Sequence, residues 1–330
     1  MTTLNAARAG TRGIAWDQHT CLPLRPDPSA VRLLDLYAES EIGFVSINVG
    51  MDSTPPLDAI KVLSAFRRGI LGEPDRYLLV GTADDVKRAA TEGRLAVAFD
   101  LEGTEPLDGE LEMIQTYHDL GVRSMLIAYN RHNRAGGGCH DDVDEGLSEF
   151  GKAVVGEMNR VGMFVDATHC SRRTTFDLFE VSADPVIFSH SVPAGVKDHP
   201  RNIDDDQIIG CAATGGVVGI NGVGLFLGAS HASTEAIVRA IDYTVGLVGP
   251  EHVGLGLDFV FDREELNKYL EALATYPEGY GYRNEGALEF VSPSQFPEIA
   301  AALERLGYEG QAVEGILGDN FARVAAEVWR

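Results

Sequence analysis

Short apolar runs alternate with longer amphipathic segments along almost the whole chain. The runs are rich in Val, Ile and Phe, which is typical of parallel strands that are buried on both faces. We predict eight strands, at residues 14–19, 43–49, 95–102, 124–130, 163–169, 186–190, 217–221 and 253–258.

The segments between these runs have the 3.6-residue period of helices that cover a sheet. Helices are predicted at residues 30–40, 57–68, 82–92, 109–120, 146–161, 174–181, 204–214, 233–248 and 297–306. Because a helix follows each strand, the pattern predicts an α/β fold, a single (β/α)8 barrel of the TIM type over residues 1–330.

One irregular segment, 261–296, follows the last predicted strand. It contains Tyr269, Tyr276, Tyr280 and Tyr282. A long segment at this end of a barrel predicts a lid-like cover over the mouth. A peripheral or dimer-facing insertion explains the same pattern equally well.

Several apolar runs end in, or are directly followed by, residues of the types that bind metals or transfer protons. These residues are His19, Cys21, Glu102, His169, His190 and Asp258. The C-terminal ends of parallel barrel strands converge on one mouth, so we expect these side chains to lie together there. Imidazole, thiolate and carboxylate are the usual ligands of zinc, and the set therefore predicts a metal-dependent hydrolase.

Each of these residues also has a plain structural interpretation. His19 and Cys21 should face the same side of an extended segment, but a free cysteine is often only a small buried apolar residue. Glu102 could instead pair with an arginine on a neighbouring strand. A single histidine at a strand end is usually a hydrogen-bonded core residue, whereas two at equivalent positions, His169 and His190, favour metal binding.

Three further positions bear on chemistry. Asp258 could orient or deprotonate a metal-bound water, or it could cap the next loop. Arg201 follows a site-bearing strand and could bind a substrate carboxylate, although a surface salt bridge is the commoner role of an arginine. The glycine-rich segment 136–142, with Cys139 and His140, is interpreted as a solvated loop in preference to a second metal site.

Composition narrows the range of partners. The chain has 27 Lys and Arg against 50 Asp and Glu, a formal net charge of −23, which disfavours nucleic acid and anionic membranes. No run reaches the length of about 18 apolar residues that a membrane span needs. Residues 1–11 lack the apolar core of a secretory signal, and the four scattered cysteines indicate a reduced protein. We therefore expect a cytoplasmic protein.

Seven stretches carry a family resemblance. They are 17–23 (similar to Asp-Gly-His-Asn-Asp-Leu-Pro), 102–103, 162–169, 185–191, 200–202, 254–259 and 317–321. In these stretches the chain resembles the membrane (renal) dipeptidase family of zinc peptidases, which have amidohydrolase-like barrels. The resemblance extends over residues 14–328 and also suggests a possible homodimer.

The resemblance implies a two-zinc site in which Glu102 bridges the ions, His169 and His190 hold one, and His19 holds the other. It further implies cleavage of the amide bond of a dipeptide, or of a similar small carboxylate-bearing substrate, by metal-bound hydroxide. Asp258 would then be the catalytic acid/base.

The resemblance implies roles for two more residues. Arg201 would bind the substrate's C-terminal carboxylate. Tyr129 stands where the best-known members have a histidine that polarises the scissile carbonyl, so it is a candidate for catalysis and for substrate binding.

One departure concerns the metal directly. Cys21 replaces the aspartate of the family's His-x-Asp pair, so the second position has either a thiolate ligand or a weakened site, and one or two zinc ions are expected. Two alternative functions stay open. One is an amidohydrolase acting on a lactone or cyclic amide, and the other is a metal-binding relative with impaired catalysis.

Overall fold

The computed structural model describes residues 13–229, 231–283 and 288–330, in which a ring of parallel strands is surrounded by helices. The strands are β1 (Trp16–Cys21), β2 (Phe44–Met51), β3 (Tyr77–Leu79), β4 (Leu95–Glu102), β5 (Val122–Leu126), β6 (Phe164–Asp166), β7 (Val186–Ser191), β8 (Val218–Ile220), β9 (Val253–Leu255) and β10 (Phe259–Val260).

The last two strands, β9 and β10, close the ring. The strand order is β10-β1-β2-β4-β5-β6-β7-β8-β9, and every pair is parallel. β9 and β10 are two halves of one stretch: Leu255 pairs with Ile220 of β8, and Phe259 pairs with Thr20 of β1. The predicted TIM-type barrel is confirmed. β3 lies outside the ring, beside the first half of β4.

Helices surround the ring and cover its two ends. They are α1 (Asp35–Glu39), α2 (Pro56–Leu71), α3 (Ala83–Glu92), α4 (Glu112–Asp119), α5 (Glu149–Val161), α6 (Arg172–Val181), α7 (Asp205–Ala213), α8 (Thr234–Val248), α9 (Arg263–Ala272), α10 (Phe296–Arg305), α11 (Gly310–Glu314) and α12 (Asn320–Val328). The first predicted helix, 30–40, is instead a 3-10 helix at Pro28–Leu34 followed by the short α1.

Two predicted strands are longer than the observed ones, since β5 ends at Leu126 and β9 at Leu255. Residues 127–130 were expected to continue β5, but Asn130 has a φ of +61°. The run 253–258 is interrupted before β10, and Asp258 has a φ of +55°. A left-handed residue cannot continue a strand, so each of these side chains leaves the sheet at its C-terminal edge.

The C-terminal helix closes the opposite end of the barrel. Trp16 stacks on Phe44 at 3.7 Å between ring centroids, and Trp329 lies 5.1 Å from Phe164. These strand residues stand at the beginnings of β1, β2 and β6. An apolar plug at this end serves stability and leaves the chemistry to the other mouth.

The predicted lid lies over that mouth. After α9, Tyr276 places its hydroxyl 2.5 Å from the hydroxyl of Tyr129, and Tyr282 places its hydroxyl 2.8 Å from His140 Nε2. Residues 284–287 of the lid segment lie outside the described residues, as do the N-terminal residues 1–11. Among the helices described, none has the length and apolarity that a membrane span requires.

Candidate active site

Three histidines converge on one carboxylate oxygen at the mouth of the barrel. The Nε2 atoms of His19, His169 and His190 lie 3.5, 3.5 and 3.4 Å from Glu102 Oε1. These separations are longer than the ~2.7–3.2 Å of a hydrogen bond. Ligands at ~2.1 Å around a tetrahedral zinc would be about 3.4 Å apart. The donor spacing therefore fits a metal coordination shell.

The second ring nitrogen of each histidine has its own polar neighbour. The Nδ1 contacts are His169 with Asn130 Oδ1 at 2.7 Å, His190 with Ser189 Oγ at 2.8 Å and His19 with Asp100 Oδ1 at 3.1 Å. In metal sites such outer partners fix the ring orientation and leave Nε2 free for the ion.

The protonation of the three rings differs. Burial lowers the pKa of His169 and His190 well below the usual value, so both are neutral imidazoles, the form that binds metal. Burial also acts to lower the pKa of His19, but the carboxylates of Asp100 and Glu102 outweigh it and raise that pKa well above its ordinary value. The buried acids are thus concentrated beside His19.

Glu102 has the environment of a ligand. Burial raises its pKa to about 8, which shows how costly the bare carboxylate is without a cation. Its Oε2 accepts a hydrogen bond of 2.6 Å from Asn48 Nδ2, so Oε1 alone faces the histidines. The alternative of a salt bridge to an arginine is wrong within the described part of the chain, where the ion-pair contacts of Glu102 are all histidines.

A second group of donors adjoins the first. Cys21 Sγ lies 3.5 Å from His19 Nε2, as expected for alternate residues of a strand. Asp258 Oδ1 is 3.7 Å from the same nitrogen and 4.0 Å from Cys21 Sγ. Asn221 Nδ2 donates a 3.0 Å hydrogen bond to Asp258 Oδ2. Burial raises the pKa of Cys21 to about 12 and also raises that of Asp258.

A strained backbone conformation sets the direction of two of these side chains, those of His169 and Asp258, and of Asn130, which contacts His169. Asn130, His169 and Asp258 have φ values of +61°, +67° and +55°. Asn, His and Asp are the side-chain-bearing residues that adopt this conformation most readily, although it still costs about 1–3 kcal/mol each. All three residues lie three or four positions beyond the end of a strand, where the chain turns sharply and directs the side chain into the mouth.

Arg201 is buried with part of its donor capacity unused. Its Nη2 donates to the His190 carbonyl at 2.8 Å, and Nη1 donates to Ser191 Oγ at 3.4 Å. Nε has no hydrogen-bond partner. Among the described residues no carboxylate lies within ion-pair distance, so the surface salt bridge is excluded and an anionic ligand could be accepted here.

Tyr129 borders the histidines. Its ring stacks on His169 with 4.3 Å between centroids, and its hydroxyl meets that of Tyr276. Burial raises the pKa of Tyr129 well above the ordinary value, so its phenol stays protonated and can donate a hydrogen bond.

An open cleft leads from this cluster to the surface. One wall is apolar and includes Leu22, Met51, Leu266, Leu270 and Phe290. Asp262 and Glu265 are the carboxylates on the α9 side of the cleft.

The glycine-rich segment was predicted wrongly as a solvated loop. Residues 135–138 and His140 are buried, and the loop packs directly on Asn130 and Arg131, which follow β5. A Cβ added at Gly138 would lie 2.3 Å from backbone atoms of Asn130 and Arg131. The glycine is therefore required by a close approach of two backbones, a cause that composition alone does not reveal.

Comparison with known proteins gives matches along most of the chain. The family model described as membrane dipeptidase (peptidase family M19) matches residues 51–330. A Schizosaccharomyces pombe protein described as an uncharacterized dipeptidase is 32% identical over 276 residues, which are 81% of this chain and 61% of that protein. This chain thus spans about three fifths of the length of such curated relatives.

Two solved structures share the fold. An amidohydrolase from Pseudomonas aeruginosa has a TM-score of 0.86 at 24% identity, over 96% of this chain and 97% of that one. A metallo peptidase from Rhodobacter sphaeroides, bound to a phosphinate mimic of the dipeptide L-Ala-D-Ala, has a TM-score of 0.79 at 20% identity, over 96% and 100%. At these identities the likeness concerns the fold alone.

Proposed function

Because this chain belongs to the membrane dipeptidase family, we propose that it is a zinc-dependent hydrolase that cleaves the amide bond of dipeptides or similar small carboxylate-bearing substrates. The observation that carries the proposal is the convergence of three histidine Nε2 atoms on Glu102 Oε1. The free donor of Arg201 beside them supplies the means to bind a carboxylate.

The donor set fits zinc. Glu102, His169 and His190 would hold one ion, and His19 would hold a second together with the shared Glu102. Nitrogen and oxygen donors at this spacing suit a divalent ion of the zinc type. When bound, zinc polarises a carbonyl and makes water a better nucleophile.

Asp258 is proposed to move the proton. Its Oδ2 is held by Asn221, and Oδ1 faces His19 and Cys21, so one oxygen is free to act. Burial raises the pKa of Asp258, which makes the carboxylate a better base than an exposed aspartate. Asp258 Oδ1 would accept a proton from the attacking water and return it to the leaving amine.

Arg201 and Tyr129 are proposed to orient the substrate. The Arg201 guanidinium would bind one oxygen of the terminal carboxylate in a charge-assisted hydrogen bond. The Tyr129 hydroxyl would donate to the scissile carbonyl oxygen, since its raised pKa keeps the proton in place. Both contacts would hold the amide carbon in the reach of the cluster.

The cleft favours apolar side chains. Leu266 and Leu270 of α9 and Phe290 form much of its wall, whereas Asp262 and Glu265 would repel acidic substrates. The phosphinate dipeptide mimic bound by the Rhodobacter sphaeroides neighbour supports a ligand of this size.

A substrate panel tests the proposal. We expect hydrolysis of apolar dipeptides and a loss of about 10- to 150-fold in kcat/KM when the C-terminal carboxylate is amidated, the value of a hydrogen bond to a charged group. Arg201→Met should remove this preference, whereas wild type retains it. His169→Ala should abolish activity with the fold intact by circular dichroism, and a fully active His169→Ala protein would refute the proposal.

A further inference from the structure

Beside the first group of ligands lies a thiol that the proposed reaction leaves without a role. Cys21 Sγ is 3.5 Å from His19 Nε2. A nitrogen at ~2.1 Å and a sulfur at ~2.3 Å from a tetrahedral zinc would be about 3.6 Å apart. The ligand atoms of His19, Cys21 and Asp258 all lie within 4.8 Å of one another.

We propose that Cys21 is the thiolate ligand of the second metal position and makes that position selective for thiophilic ions, Zn²⁺ or Cd²⁺ over Mn²⁺ or Mg²⁺. The inference rests on the proposed metal centre, with His19 and the shared Glu102 as the other protein ligands. Thiolates favour zinc-like and softer ions, whereas carboxylate and water favour magnesium and manganese.

The surroundings of Cys21 differ from those of a cysteine that serves only as packing. Its sulfur makes polar contacts with His19 and Asp258, and it lines the cleft together with Glu102. Other cysteines have different partners: Cys211 Sγ is directed at the Val186 carbonyl in the core, and Cys139 Sγ at Asn130 Oδ1. Geometry thus separates Cys21 from the ordinary buried thiols of the chain.

Asp258 stands slightly outside the same group. Its Oδ1 is 3.7 Å from His19 Nε2 and 4.0 Å from Cys21 Sγ, longer than the edges of about 3.4–3.6 Å expected between ligands of one zinc. The thiolate would therefore complete the ion's protein ligands and leave Asp258 available for proton transfer.

The exchange of atoms is simple. As the metal–sulfur bond forms, the Cys21 S–H bond breaks and its proton passes to solvent. A bound thiolate carries the same single negative charge as an aspartate carboxylate at this position. The net charge of the metal centre is therefore the same with either ligand. Only the softness of the ligand differs.

Cobalt reports directly on sulfur ligation. We would deplete the full chain of metal, titrate it with Co²⁺, and record the near-ultraviolet absorption that arises from thiolate-to-cobalt charge transfer, together with the number of ions bound per chain. The readout requires no turnover. We expect the band in wild type, developing as the second position fills.

Three variants assign the band. Cys21→Ser and Cys21→Asp should lose it, and Cys21→Asp should still bind a second ion through its carboxylate. Cys139→Ser is the matched control, because Cys139 is the half-buried thiol beside Asn130, and this variant should keep the band. Thermal unfolding by circular dichroism would establish that each variant is folded.

The outcomes separate this inference from the proposed function. Two bound Co²⁺ ions without the band, one ion without the band, or a band that persists in Cys21→Ser would each overturn the role of Cys21 while the primary site stands. A chain that binds no Co²⁺ at all would overturn both the metal centre and this inference.

Ion selectivity provides an independent measurement. In competition at the second position, Cys21→Asp should shift the ratio of Cd²⁺ to Mn²⁺ affinity toward Mn²⁺ by at least about 100-fold. Loss of a residue that only contacts a ligand changes metal affinity by up to about 100-fold, and exchange of a direct ligand should have at least that effect. An unchanged ratio would contradict the inference, since it would mean that the ion does not contact sulfur.

Discussion

Asn130 Oδ1 lies 2.7 Å from His169 Nδ1, and this contact joins the loop after β5 to a histidine that follows β6. Asn130 has a φ of +61°, so a residue in a strained conformation supports a residue that is itself strained, with a φ of +67° at His169. The contact orients the imidazole so that its Nε2 faces Glu102 Oε1.

Asn130→Ala should weaken metal binding by about 10- to 100-fold, because His169 would lose the partner of its Nδ1. The affinity would be measured for Zn²⁺ in competition with a chromophoric chelator. Asn130→Gly is the matched control, since glycine adopts the positive φ without strain but also lacks the amide. Asn130→Gly should show the same loss of affinity as Asn130→Ala but a higher melting temperature than that variant. Wild-type affinity in both variants would contradict the role of the contact.

Asp258→Asn should reduce kcat by roughly 100- to 10,000-fold, the usual contribution of a general acid/base. Asparagine tolerates the φ of +55°, so the backbone should be preserved. The number of zinc ions per chain and the melting temperature should stay at wild-type values, because the proposed ligands are untouched. A loss of metal that parallels the loss of activity would instead show that Asp258 is a ligand.

Protonation of His118 should destabilise the fold in acid. Burial, assisted by the nearby charge of Arg123, lowers the pKa of His118 to about 4, below the ~6.5 of an unfolded histidine. The folded state therefore prefers the neutral ring. Its contribution to stability is complete above pH 6.5 and is lost as the pH falls toward 4.

His118→Phe should remove this dependence of stability on pH. Both ring nitrogens of His118 lack hydrogen-bond partners, so the substitution breaks no hydrogen bond. Urea unfolding of both proteins at pH 7 and pH 5 would measure the difference in the free energy of unfolding. The variant should gain relative to wild type at the lower pH. A difference that is independent of pH would show that the histidine does not titrate as described.

Gly138→Ala should destabilise the protein by about 1–3 kcal/mol, the cost of overpacking, because the new Cβ would meet backbone atoms of Asn130 at 2.3–2.4 Å. Gly156→Ala is the opposite case. Gly156 lies inside α5, where an added Cβ meets nothing within 4 Å, so alanine should stabilise by about 0.5–1 kcal/mol. Thermal unfolding would compare the two, and an equal effect would contradict the packing argument.

The sequence by itself determined the barrel, because the two periodicities are local. Apolar runs of strand length and helices with one apolar face alternate in order, and parallel strands bring their C-terminal ends to one mouth. On that basis His19, Glu102, His190 and the other predicted site residues were expected together, and the structure brings them into one cluster. Only physics that acts along the chain was needed for this.

The tertiary structure decided what depends on distances between remote segments. The short β3 and the buried loop at Gly138 have weak local signals and are held by packing. The helices α9 and α12 do carry helical patterns in their sequences, but our prediction did not assign them. The contact of Tyr276 with Tyr129 joins residues 147 positions apart, and that of Asn130 with His169 joins residues 39 apart. The closed barrel decides which donor meets which acceptor. There, less than 1 Å separates a hydrogen-bond distance from the spacing of two ligand atoms around one zinc ion.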